Sequence, residues 1–90
     1  ANLNTVMRLP FSAIKIDRTL LFDICNDKKR AMFYQSIVET FRRMGYSIVS
    51  EGVETEEEMS LLSRWGVDMI QGYYFSRPLP VDELLKLLNM

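Results

Sequence analysis

Histidine is absent from these ninety residues, and cysteine occurs once, at Cys25. A zinc site of histidine and cysteine is thereby excluded, as is a disulfide within the chain. Neither sign of charge dominates: 11 basic residues against 12 acidic ones leave a formal net charge of −1. That balance argues against a DNA or RNA groove and against a membrane-binding face. No apolar run approaches the roughly 20 residues of a membrane span. No G-x-G-x-x-G or Walker loop follows any apolar run, which weakens a nucleotide-binding open sheet. The opening residues, Ala1-Asn2-Leu3-Asn4, lack both an initiator methionine and the charged and apolar regions of a signal peptide. The expectation is at most one domain over residues 1–90, a piece of a longer chain, in the cytosol, with a membrane-anchored parent compatible. At this length the core is marginal unless something covers it.

What is present is an alternation of strand and helix signals. Leu3, Val6 and Met7 read as the tail of a helix ended by Pro10. A strand over Ala13 to Ile16 follows, then a loop from Thr19 to Asp27. Ala31, Tyr34, Ile37, Val38, Phe41 and Met44 recur at three- and four-residue spacing, predicting a helix with one buried face that Gly45 closes. A strand over Ser47 to Ser50 leads into Thr55-Glu56-Glu57-Glu58, a capping-box signature with acidic residues at the positive end of a helix. Met59, Leu61, Leu62 and Trp65 form its buried side, and Gly66 ends it. A third strand, Met69 to about Tyr73, precedes a last helix built on Leu84, Leu85, Leu87 and Leu88. Met32, Met44 and Met59 read as core packing, and Cys25 as an unreactive loop residue.

Residues 43–50 echo residues 64–71 at a shift of 21, each copy running from helix end through a glycine to a strand. Repeats of this kind imply parallel strands joined by right-handed crossovers, with both sheet faces covered. An open doubly wound sheet and a (β/α)₈ barrel both fit. The barrel is favoured because the polar residues gather where strands end: Lys15 and Asp17 at the first, Glu51 at the second, Gln71 at the third. Taken singly, each has a bland reading. Lys15 suits a solvated charge or an ion pair with Asp17, Glu51 a loop carboxylate, Gln71 a partner for backbone groups, and Tyr73, Tyr74 and Phe75 are partly core. Their recurrence at three successive strand ends outweighs those readings.

The segments Leu9-Pro10-Phe11-Ser12-Ala13-Ile14-Lys15-Ile16-Asp17-Arg18, Ser50-Glu51-Gly52-Val53-Glu54-Thr55 and Gln71-Gly72-Tyr73-Tyr74-Phe75-Ser76-Arg77-Pro78-Leu79-Pro80 resemble, in order, the C-terminal part of an EAL domain. That family comprises the phosphodiesterases of bacterial cyclic di-GMP signalling. The resemblance implies an α/β fold, the last three βα units of a TIM-like (β/α)₈ barrel. It implies hydrolysis of cyclic di-GMP to the linear dinucleotide with Mg²⁺ or Mn²⁺. Lys15 then matches a lysine on the scissile phosphate and the attacking water, Glu51 a general base or metal-site carboxylate, and Gln71 a glutamine of the same network. Asp17 and Glu54 become supporting residues, and Arg77 and Pro78 lie near a guanine. The Glu-Ala-Leu signature and most metal ligands of the family would precede residue 1, so the ninety residues are expected to be inactive alone. Their exposed strand edge predicts self-association. A degenerate domain acting as a cyclic di-GMP receptor, or as a protein-interaction module, is the alternative; sensory or GGDEF domains are compatible attachments.

Overall fold

A computed structural model describes residues 12–72 and 78–89. In chain order these form β1 (Ala13–Ile16), a short 3-10 helix (Arg18–Leu21), α1 (Lys28–Arg43), β2 (Ser47–Val53), α2 (Glu56–Trp65), β3 (Met69–Gly72), β4 (Leu79–Pro80) and α3 (Val81–Leu88). One sheet carries the strands in the order β1-β2-β3-β4, with the first three parallel and β4 antiparallel to β3. Helices α1 and α2 are the crossovers that parallel neighbours require.

Alternation along a strand sends successive side chains to opposite faces. Ile16, Ile48 and Ile70 therefore share the face that packs on Tyr34 and Val38 of α1, Leu62 of α2 and Val81 of α3, all buried in one core. The helix ends follow their sequence signals. Asp27 accepts from the amides of Lys29 and Arg30 to start α1. Thr55 and Glu58 form the reciprocal capping box of α2, and Gly66 closes that helix at φ +94°. A capping side chain of this kind contributes on the order of 1 kcal/mol.

At the amino ends of the strands, Asp68 joins three elements. Its amide donates to Ile48 O at 3.0 Å, its carboxylate accepts from Ile48 N at 2.9 Å, and its carbonyl accepts from Val81 N at 3.2 Å. The Ser63 hydroxyl donates to Asp82, tying α2 to α3.

Several expectations need correction. Met32 and Met44 are 68% and 62% exposed; only Met59 of the three is core. Met32 is two positions before buried Tyr34, about 200° round the helix, and Met44 falls after the last helical residue. Leu87 and Leu88 are likewise exposed, and fully buried Val81 anchors α3 instead. The segment after β1 is not simply a loop: Asp17 caps the 3-10 helix, which buries Leu21. β2 runs to Val53 rather than Ser50, and β4 is a strand that the sequence reading omits. The expected helix tail before Pro10, and Tyr73, Tyr74 and Phe75, lie outside the described residues.

Burial pushes the Tyr34 phenol up to about 12, against a donor–acceptor bond with Ser50 that pulls the other way. The unfolded chain ionises this group near 10. Its neutral form is the one the fold favours, so the associated stability is complete below about pH 10 and is lost as pH rises from about 10 to about 12. Urea melts between pH 8 and 12 check this. Tyr34→Phe should flatten the alkaline decline, and an equally steep decline in that variant would assign it to other groups.

Candidate functional site

The parallel register pairs Lys15 with Val49, Val49 with Met69, and Glu51 with Gln71. Residues in register point the same way, so Lys15, Glu51 and Gln71 share one face of the sheet, opposite the face that meets the helices. Three positions separated by up to 56 residues are thus brought onto adjacent strands by topology alone. Lys15 Nζ stands 3.9 Å from Glu51 Oε1. The lysine side chain is 56% exposed and the glutamate 33%, so water reaches both. The side-chain oxygen of Gln71 is buried beside them.

Glu51 holds its place through a bulge. The ladder shifts register between Glu51 and Val53, which pairs with Gly72. Gly52 occupies the shift at φ +76°, with Arg18 lying directly over its Cα. A bulge of this kind re-aims a side chain while the strand continues.

Asp17 belongs to a different piece of local structure. Its carboxylate accepts from the Thr19 hydroxyl and, at 3.1 Å, from the Thr19 amide. Those bonds, the hydroxyl first, hold its carboxyl below the ordinary value. The charge near Lys15 is Glu51, not the Asp17 partner of the bland reading. Glu54 lines an open cleft of about 600 Å³ with Arg18, Thr19, Phe22 and Arg30. This cleft lies beside Gly52 and takes in none of Lys15, Glu51 or Gln71. Pro78 is half-buried just before β4, and Arg77 lies outside the described residues. Burial pushes the Cys25 thiol up, and Glu57 and Glu58 add to it; a neutral thiol there agrees with an unreactive cysteine.

One contact escapes the sequence reading. The Tyr34 hydroxyl meets Ser50 Oγ at 2.5 Å, with both residues fully buried. The available signal was a phenol on a buried helix face, which needs a polar partner, and a serine closing an apolar strand.

The donor chemistry fits part of a hard-cation site. A carboxylate and an amide oxygen are suitable ligands for Mg²⁺ or Mn²⁺. Among the described residues, however, no three of histidine, cysteine, aspartate and glutamate gather to hold a metal ion. Glu51 and Gln71 would supply a fraction of the shell.

Comparison with known proteins agrees with the architecture. The EAL domain family profile matches residues 1–78. The chain is 40% identical over 78 residues to the bifunctional diguanylate cyclase/cyclic di-GMP phosphodiesterase MucR of Pseudomonas aeruginosa, covering 87% of this chain and 11% of MucR. The structure of the PaMucR phosphodiesterase in complex with c-di-GMP superposes with a TM-score of 0.66 at 38% identity, over 94% of this chain and 34% of that one. Klebsiella pneumoniae BlrP1, in its manganese/cy-diGMP complex, gives 0.65 at 33% identity, over 90% and 21%.

Proposed function

Because the chain belongs to the EAL domain family, we propose that it supplies the C-terminal strands of a phosphodiesterase domain that opens cyclic di-GMP to the linear dinucleotide with Mg²⁺ or Mn²⁺. The observation that carries this reading is the convergence of Lys15, Glu51 and Gln71 on one face of three adjacent strands. Complexes of similar proteins with cyclic di-GMP and manganese support the substrate and the metal class.

In this reading a P–O bond forms to water as a P–O bond of the ring breaks. Glu51, partly exposed and held by the bulge, orients that water and takes its proton. Lys15 places a point charge beside the phosphate, where negative charge increases in the transition state. Gln71, in register with Glu51, fixes the carboxylate and the water between fixed dipoles. Glu51 and Gln71 would hold the cation, which when bound lowers the pKa of water and offsets phosphate charge. Pro78 and Arg77 flank a guanine, while Asp17 and Glu54 support the loops around the site.

The remaining cation ligands come from outside these residues, so the ninety-residue chain alone is inactive. It also self-associates: among the described residues β1 has a neighbour on one edge only, and Phe22, Met32 and Phe33 are exposed. The test compares the full-length protein with the isolated chain, each given cyclic di-GMP and Mg²⁺ or Mn²⁺, with light scattering on the second. Linear dinucleotide from the first only, and a mass above 10.5 kDa for the second, are expected. Nucleotide binding without product would make the parent a receptor, and no binding an interaction module.

A further inference from the structure

Ser50 and Glu51 are consecutive in β2 but face opposite ways. Ser50 points into the helix-covered core, in register with Ile16 and Ile70, and is the one buried polar side chain among the core positions described. The strand at this point is about to leave regular geometry, because the register shift begins at Glu51 and Gly52 has positive φ. A backbone next to a bulge has fewer ladder bonds to hold its rotation about the strand axis. The Tyr34–Ser50 bond, 2.5 Å long and fully buried, supplies a directional restraint one residue before the carboxylate. Apolar packing alone is non-directional and would not fix that rotation.

We infer that Tyr34 is a positioning residue for the Lys15–Glu51–Gln71 site: through Ser50 it fixes the backbone from which Glu51 projects. Tyr34 is itself anchored independently of its hydroxyl. Its ring lies 6.0 Å from that of Trp65, centroid to centroid, so α1 and α2 together hold the phenol. Removing the hydroxyl therefore leaves the ring packed and releases only the restraint. The catalytic arm of this inference rests on the proposed phosphodiesterase function.

The experiment uses the full-length protein and its Tyr34→Phe, Ser50→Ala and doubly substituted variants. Two readouts are taken: steady-state hydrolysis of cyclic di-GMP, and amide hydrogen exchange at Glu51, Gly52 and, as a reference, Ile14. Either single substitution should lower kcat about tenfold with KM changed less than about twofold, the pattern of a misplaced reacting group. The double variant should be no worse than the singles, since both remove the same bond. Exchange at Glu51 and Gly52 should quicken about tenfold while Ile14 is unchanged. A Tyr34→Phe variant with parental kcat, or one whose exchange rises equally at all three amides, would overturn the inference in favour of a purely structural bond. If the parent protein itself turns over no cyclic di-GMP, the proposed function fails, and the exchange pattern alone decides the positioning role.

Discussion

Replacing Glu51 by glutamine in the full-length protein is expected to lower kcat for cyclic di-GMP about a thousandfold, within the range for loss of a general base. The substitution keeps the size and hydrogen-bonding reach of the side chain but removes its charge and basicity. Stability should barely change. The ion pair of Glu51 with Lys15, at 3.9 Å, is long and partly open to water, and such pairs contribute little. The expected pattern is thus lost turnover with an unchanged melting temperature. A loss smaller than tenfold would remove Glu51 from the proton transfer, and an equal fall in stability would place it among structural residues.

The second large effect concerns the glycine beside it. Alanine at position 52 would have to adopt φ +76°, and its Cβ would sit 2.3 Å from Arg18 Cβ. The clash is with the root of a side chain, so it cannot be relieved by a rotamer change; the 3-10 helix starting at Arg18 would have to move. Backbone strain and overpacking each cost roughly 1–3 kcal/mol, and we expect Gly52→Ala to lose about 3 kcal/mol or more in urea unfolding. Gly66→Ala is the matched control. It also requires positive φ, but the atom met by its Cβ is Arg42 Nη1, the tip of a flexible side chain that can swing aside. That substitution should cost about 1–2 kcal/mol, the conformational part alone. Equal losses in the two variants would show that Arg18 yields and that its approach to Gly52 is not constraining.

Features governed by local chemistry were legible in the sequence. β1 has the expected bounds, Thr55 and Glu58 form the expected box, and the glycines after α1 and α2 both take positive φ. The family and the α/β fold were also legible, because three motifs fall at three strand ends. Features set by long-range geometry were not. The apolar run stops at Val49 and a helix-start signal follows at Thr55, so β2 reads as ending at Ser50, whereas the bulge keeps Glu51 and Val53 paired with β3. β4 contains a proline and only two residues, a composition that signals an edge or a turn rather than a strand. Periodicity placed Met44 on the buried face because it carries no information on where the helix stops, and Met44 lies past its last residue. The partnership of Lys15 with Glu51 rather than Asp17 depends on which strands are neighbours and on Thr19 having already engaged Asp17, neither of which a spacing of two residues reveals.

The triple attachment at Asp68 has a consequence for how this domain can vary. It gathers β2, β3 and α3 at the ends of the strands remote from Lys15, Glu51 and Gln71. Two jobs that selection would otherwise have to satisfy with the same residues are thereby given to opposite ends of the sheet. On the proposed function, substitutions of Lys15, Glu51 or Gln71 themselves would alter the chemistry while the amino ends go on holding the strands together. On the proposed function, a domain built this way can lose turnover by one substitution and stay folded, the step that separates an enzyme from a receptor.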